Sequence, residues 1–180
     1  MTTKPFWQAV KGSVLLLSER KWLRAAARRL EERFGKPVLV NIGIMQGASM
    51  HCLRAGSSAA ELFGVDVTIS RVQRVDVLKA TLLKGNSKVL WKTFEHPIHG
   101  LFVDGDHRYA TVKRDIANWV PKIVVGGIVI FHDYNPAEKD RGHAFIEGVQ
   151  RSVDEYFVRH AKQWQDIPTV GSLKVFKRLS

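Results

Sequence analysis

A chain of 180 residues with 45% hydrophobic and 25% charged residues has the composition of one globular domain, and no apolar stretch approaches the roughly 20 residues that span a bilayer. The start of the chain lacks the basic and apolar segments of a signal peptide, and the single cysteine, Cys52, excludes an internal disulfide or a zinc site built on thiolate pairs. The formal net charge of +11 favours acidic partners, but the basic residues are spread along the chain without aromatic interleaving, as on an ordinary solvated surface.

The first predicted elements are a helix, a strand and a second helix. Apolar residues recur at helical spacing over 21–34, and Gly35 is a natural helix stop. The apolar, β-branched run Pro37–Ile42 predicts the first strand, which leads directly into a glycine-containing segment. A helix is expected to follow through His51–Ala55.

Three further strands and a helix follow between residues 56 and 120. The second strand is expected over Leu62–Thr68, and a third lies within Val77–Leu83. The short apolar run Leu101–Val103 predicts the fourth strand, of the kind that a parallel sheet buries on both faces. The spacing of apolar residues then predicts a helix over Tyr109–Val120, which Pro121 limits.

The last third of the chain completes the pattern. Gly126 and Gly127 are expected to turn the chain into a fifth strand at Ile128–Phe131, and a helical stripe runs over 142–160. Two short runs around Gly171, Trp164–Ile167 and Ser172–Lys177, predict a terminal antiparallel hairpin.

Strands that alternate with helices favour an α/β fold of three layers, in which helices cover both faces of a sheet. We expect a mostly parallel seven-stranded sheet with a C-terminal antiparallel hairpin. The whole chain, 1–180, is expected to form a single domain, with added N-terminal helices at 1–35 and the core at 36–180. An architecture of this kind does not by itself specify a function.

Two predicted strands each end in acidic and imidazole side chains. Asp104, Asp106 and His107 follow the fourth strand, and His132 and Asp133 follow the fifth. In an open parallel sheet, ligands bind in the crevice outside the carboxyl ends of the strands. Charged groups at that edge therefore indicate chemistry rather than packing.

A second feature suggests that the same edge binds a nucleoside. Gly43 and Gly47 lie four residues apart between the first strand and the following helix, where glycine allows a ligand to approach the backbone closely. They do not form the three-glycine pattern that cradles a pyrophosphate. Asp66 ends the next strand, near the spacing at which an acid holds ribose hydroxyls. The order of these features predicts a nucleoside without a diphosphate.

With these residues the chain resembles the class I S-adenosylmethionine-dependent methyltransferases, which are Rossmann-like. It is most similar to a small bacterial group with Asp-Gly-Asp-His-x-Tyr after the fourth strand, here Asp104–Tyr109, and Gly-Gly-x-Ile-x-x-His-Asp-Tyr across the fifth, here Gly126–Tyr134. The resemblance extends over about residues 38–177. It implies that S-adenosylmethionine is the cofactor and that residues of the glycine turn line its methionine part: Gly43, Ile44, Gln46, Gly47 and Ser49.

The resemblance also implies that Asp66 grips the ribose, that Asn86 and Ser87 lie beside the adenine, and that Asp104 contacts the cofactor. Members of the family commonly carry Glu at position 41 and Asp at position 86, where this chain has Asn41 and Asn86. Amides still donate and accept hydrogen bonds, but they carry no charge.

Similarity to metal-dependent O-methyltransferases of catechols and sugars implies that Asp104, His132 and Asp133 hold a divalent cation. His107, three positions after Asp104, stands where the catechol enzymes place a basic residue, and an imidazole can act as a base near neutral pH. Imidazole in place of a usual carboxylate weakens the case for magnesium and adds manganese or a later transition metal as alternatives, so the expected cation is left as magnesium or manganese.

These residues also have structural alternatives. His132 could bond to the backbone, Asp133 could cap a helix, and His107 could only orient Asp104. Asp106 could be an outer support, a helix cap, or the ligand in place of Asp104.

The leading hypothesis is a cytoplasmic methyltransferase that acts on an oxygen of a small molecule, such as a sugar or a phenol. A nucleic-acid methyltransferase that uses the basic surface and a non-catalytic nucleoside-binding module are the alternatives. We expect no membrane partner, and a homo-oligomer is left open.

Overall fold

The computed structural model describes residues 14–135 and 144–180. Helices and strands alternate through most of this range. The helices are α1 (Leu17–Phe34), α2 (Ala48–Gly56), α3 (Val75–Leu78), α4 (Ser87–Leu90), α5 (Tyr109–Trp119) and α6 (Ala144–Arg159). The strands are β1 (Val38–Ile42), β2 (Glu61–Asp66), β3 (Thr81–Lys84), β4 (Ile98–Val103), β5 (Ile123–Phe131), β6 (Trp164–Ile167) and β7 (Lys174–Arg178).

The seven strands form one sheet in the order β3-β2-β1-β4-β5-β7-β6. Strands β1 to β5 pair in parallel, while β7 pairs antiparallel with both β5 and β6. The predicted fold class, a mostly parallel seven-stranded sheet with a terminal antiparallel hairpin, is therefore confirmed. The strand order reverses its direction at β1 and β4, so the crevice of the sheet lies at their carboxyl ends.

Both faces of the central strands are buried because helices cover both sides of the sheet, and alternate residues of a strand point to opposite sides. In β1, Val38 and Val40 pack with residues of α5 and α6, whereas Leu39 packs with α1 and α2. The apolar stripe of α1 is buried as its spacing predicts, and Cys52 is buried in α2.

Some predicted boundaries are wrong at the fourth and fifth strands. β4 begins at Ile98 and β5 at Ile123, so Gly126 and Gly127 lie inside a strand rather than in a turn before it. The pairing of β4 with β5 shifts register between Ile98 and Gly100, opposite these glycines. Gly126 has φ 83°, a conformation that glycine adopts without strain, so the pair forms an irregularity that lets the strand continue.

Other boundaries differ by a few residues. The segment predicted as the third strand begins as the short helix α3, and the strand itself starts at Thr81. The predicted helix over 142–160 corresponds to α6, although residues 142 and 143 lie outside the described residues. Of the expected N-terminal helices, α1 is described and residues 1–13 lie outside that range. In the described part of the chain, no helix is long and apolar enough to cross a membrane.

Candidate active site at the carboxyl edge of the sheet

A cavity of about 1220 Å³ opens at the carboxyl ends of the parallel strands. The segments that follow β1, β2, β3, β4 and β5 all contribute to its wall. The sequence-predicted residues that line it are Gly43, Asp66, Asn86, Ser87, Asp104, Asp106, His107, His132 and Asp133. Segments far apart in the sequence thus meet in one cleft.

The turn after β1 requires glycine at position 43. Gly43 has φ 81°, and a Cβ atom built there would lie 2.0 Å from the backbone oxygen of Asp104. The turn therefore packs directly against the end of β4. Gly47, the N-cap residue of α2, also has a positive φ, 88°.

The remaining predicted residues of this turn lie behind the main cavity. Ile44, Gln46 and Ser49 line a separate space of about 20 Å³, and Gly47 lines neither cavity. Met45, within the same predicted turn 43–49, lines both spaces, with a side chain that is about half exposed. Spacing along the sequence did not indicate which residues of the turn line the main cavity.

Asp66 holds the glycine turn in place. Its Oδ2 accepts hydrogen bonds from the backbone N–H of Ile44 at 2.7 Å and of Met45 at 3.3 Å, and its Oδ1 accepts one from Thr68 at 2.9 Å. A carboxylate offers about four acceptor sites, so these three bonds leave capacity for a hydroxyl of a ligand.

Beyond β3, the cavity contains a buried carboxylate that the sequence analysis did not identify. The Oγ of Ser87 donates to Oδ1 of Asp115 at 2.7 Å, while Asn86 caps α4 by accepting from the N–H of Lys88 at 3.0 Å. Asp115 lies on α5 and is 1% exposed, yet it lines the cavity. Burial raises the pKa of Asp115 to about 6 despite the hydrogen bond from Ser87.

At the other end, two carboxylates and two imidazoles converge. The Nδ1 of His132 lies 3.2 Å from Oδ1 of Asp104 and 3.1 Å from Oδ2 of Asp133. The Nε2 of His107 lies 3.3 Å from the same oxygen of Asp133 and 3.8 Å from Oδ1 of Asp104. Asp133 has φ 55°, a strained backbone conformation of the kind that clusters at functional sites.

Among the described residues, Asp104, His107 and Asp133 form a group whose ligating atoms all lie within 4.8 Å of one another. The sequence analysis assigned the imidazole of this set to His132 instead. His132 is almost fully buried behind the two carboxylates, and its Nδ1 has no hydrogen-bond partner of good geometry. Two imidazole nitrogens, Nδ1 of His132 and Nε2 of His107, therefore lie near the carboxylates of Asp104 and Asp133.

Asp106 has a different environment. Its carboxylate accepts from the backbone N–H of Arg108, pairs with the Arg108 guanidinium and accepts from the hydroxyl of Thr111. The hydrogen bond from the Arg108 side chain is the main reason that the pKa of Asp106 falls to about 2. Asp106 thus organises the start of α5, whereas Asp104 faces the two imidazoles.

Glu19, on α1, supports His132 from behind and was also missed by the sequence analysis. Its Oε2 lies 3.4 Å from Nε2 of His132 and accepts from the backbone N–H of Leu16 at 2.8 Å. Its Oε1 accepts from the N–H and the hydroxyl of Ser172. The single carboxylate therefore joins α1, the end of β5 and the loop before β7.

The charges of this cluster are interdependent. Burial opposes the ionisation of Glu19, but hydrogen bonds from His132, Ser172 and Leu16 lower its pKa overall. Burial likewise disfavours a charged His132, yet Asp104, Asp133 and Glu19 raise its pKa far above the ordinary value. The nearby carboxylate of Asp104 is the main cause of the raised pKa of His107.

A family model described as a methyltransferase domain matches residues 40–134. Among curated proteins, an uncharacterised protein, y4gI, of Sinorhizobium fredii (strain NBRC 101917 / NGR234) is 28% identical over 125 residues. The match spans only 14% of that relative's length.

Solved structures share the fold at low sequence identity. The O-methyltransferase NovP matches with a TM-score of 0.69 and 19% identity, over 92% of this chain and 82% of that protein. MycE methyltransferase of the mycinamycin biosynthetic pathway, in complex with Mg, SAH and mycinamycin VI, matches with a TM-score of 0.69 and 14% identity, over 98% of this chain and 55% of its own. An O-methyltransferase from Bacillus cereus in complex with SAH matches with a TM-score of 0.66 and 14% identity, over 94% and 84% of the two chains.

Proposed function

Since the chain belongs to the methyltransferase-domain family, we propose that it transfers a methyl group from S-adenosylmethionine to an oxygen of a small molecule, such as a sugar or a phenol. The observation that carries this proposal is the single cavity that the glycine turn, Asp66 and the cluster around Asp104 share. Structures of the same fold bound to SAH, and in one case also to Mg and a natural product, support it.

S-adenosylmethionine supplies a methyl group on a positively charged sulfur. A divalent cation, when bound, would lower the pKa of the acceptor hydroxyl and fix the position of its oxygen. For the cofactor, Gly43 lets the turn pack directly against the end of β4 at the wall of the cavity, and Asp66 offers its remaining acceptor capacity to the ribose hydroxyls. Asn86 and Ser87 form the far wall of the cavity, where the base would lie.

The carboxylates and imidazoles fit a divalent cation. We assign Asp104, His132 and Asp133 as the ligands, because the buried Nδ1 of His132 lies about equally far from an oxygen of each acid. Its other ring nitrogen faces Glu19, and an outer carboxylate commonly fixes the orientation of a metal-binding histidine in this way. An imidazole ligand favours manganese or a later transition metal over magnesium.

We assign His107 as the group that takes the proton of the acceptor hydroxyl. It lines the cavity next to both carboxylates, within reach of an oxygen held there. The carboxylates that raise the pKa of His107 are also the proposed cation ligands. A cation held by these carboxylates would offset their charge, and His107 would then be available as a base.

Calorimetric titration of the chain with S-adenosylmethionine tests the cofactor assignment. Asp66→Ala should weaken binding, whereas Asp76→Ala, a change of an exposed acid in α3 outside the cavity, should not. Absence of binding by the wild type at millimolar cofactor would reject the proposal.

Methyl transfer to a panel of phenols and sugars, with and without a chelator, tests the reaction and the cation together. Activity that chelation removes and manganese restores is the expected result. Transfer to polynucleotides alone, with affinity that falls steeply as salt rises, would indicate a nucleic-acid acceptor instead. Binding without transfer to any acceptor would indicate the nucleoside-binding module.

A further inference from the structure

Asp115 is a buried carboxylate at the wall of the cavity that the reaction proposed above does not use. The side chain is 1% exposed, and among the described residues Ser87 is the one that donates a hydrogen bond to it, at 2.7 Å to Oδ1. A buried carboxylate normally needs several donors or a cationic partner. This one has a single neutral donor and an open cavity beside it.

The position of Asp115 in the cavity indicates which part of a ligand it faces. The proposed reacting end follows β4 and β5, while Ser87 follows β3, at the far edge of the parallel strands. Three strand spacings of about 4.8 Å separate the ends of β3 and β4, or about 14 Å. A nucleoside whose sulfur-bound methyl faces Asp104 would therefore extend its base towards Ser87 and Asp115.

We propose that Asp115 reads the 6-amino group of the adenine, and so makes the cavity specific for adenine over 6-oxo purines. This inference rests on the proposed function, because it takes the ligand to be an adenine nucleoside. The 6-amino group is a hydrogen-bond donor and fits an ionised carboxylate. The 6-oxo group of hypoxanthine is a hydrogen-bond acceptor, so it cannot donate to the carboxylate, and the two oxygens would repel each other.

The surroundings of the carboxylate agree with such a role. Position 86, where the side-chain oxygen of Asn86 is engaged in capping α4, supplies no charge, whereas Asp115 supplies a carboxylate beside Ser87 at the wall of the cavity. Burial raises the pKa of Asp115, with Lys88 favouring and Asp106 opposing its ionisation. A donor from a ligand would supply the second hydrogen bond that the protein leaves out.

The test compares the binding of S-adenosylhomocysteine and S-inosylhomocysteine by calorimetry. The wild type should bind the adenine compound at least about tenfold more tightly, the ratio expected for one hydrogen bond to a charged group. Asp115→Asn should reduce this ratio to below about threefold, because an amide can donate to the 6-oxo group or accept from the 6-amino group. Asp76→Asn, an exposed acid outside the cavity, should keep the wild-type ratio.

Equal binding of the two compounds by the wild type would overturn the inference, and this comparison does not depend on any variant folding. An unchanged ratio in a folded Asp115→Asn protein, judged by its circular dichroism, would overturn it as well. A purely structural Asp115 would lower both affinities together and leave the ratio intact. If the wild type binds neither compound, the proposed function itself fails.

Discussion

Replacement of Glu19 by alanine should remove a large part of the stability of this fold. The Glu19 side chain is 1% exposed, and its two carboxylate oxygens form hydrogen bonds with Leu16, Ser172 and His132. The alanine variant leaves the Ser172 donors and the His132 ring without their partner, whereas water can reach the backbone N–H of the exposed Leu16. Loss of one partner from a buried ion pair costs about 3–5 kcal/mol, against a total of about 5–15 kcal/mol for a typical domain.

Urea unfolding followed by circular dichroism measures this loss, provided that the slope of free energy against urea stays the same. The matched control is Glu32→Ala, because Glu32 lies on the same helix but forms an exposed pair with Arg28. The control should cost no more than about 0.5 kcal/mol.

The cost of Glu19→Ala should also shrink as the pH falls below 4.5. The folded protein lowers the pKa of Glu19, so its contribution is present above the unfolded value and disappears as the carboxylate is protonated. A Glu19→Ala variant that is as stable at pH 7 as Glu32→Ala would refute the assigned role.

Three further predictions concern the cavity. Gly43→Ala should destabilise the protein by about 2–5 kcal/mol in urea unfolding, because the new Cβ would overlap the backbone of Asp104 at a position of positive φ. Gly105→Ala is the control: its Cβ would meet only an ordinary contact at 3.6 Å, so it should cost less than about 1 kcal/mol. Equal losses of stability in the two variants would contradict the close approach. The raised pKa of Asp115 means that its ionisation destabilises the ligand-free protein as the pH rises from 3.8 through about 6, by about 3 kcal/mol in all. Asp115→Asn should therefore gain stability relative to the wild type between pH 4 and pH 7, as measured by urea unfolding at the two pH values. If the difference in stability between variant and wild type is the same at both, the carboxyl does not titrate in that range. His132→Asp should lower the ratio of manganese to magnesium affinity, measured by titration with each ion, and an unchanged ratio would exclude His132 as a ligand.

The sequence by itself determined the order of the strands along the chain and the edge at which the chemistry lies. Leu101–Val103 and Ile128–Phe131 are apolar because a parallel sheet buries both faces, and the charged residues begin where burial ends. The carboxyl ends of parallel strands share one edge, so residues near 43, 66, 104 and 132 had to meet there. This inference needs only local patterns and one topological rule.

Only the tertiary structure decided which residues behind that edge take part. Glu19 is separated from His132 by 113 residues, and Asp115 from Ser87 by 28. In sequence, each looks like any acidic residue on a helix, since periodicity marks apolar positions and assigns acids to the solvent. The strand irregularity at Gly126 likewise depends on how β5 pairs with β4, which local patterns do not show. The hydrogen-bond partners of these two acids lie on other helices, strands and loops, and the spacing of residues along the chain does not predict such contacts.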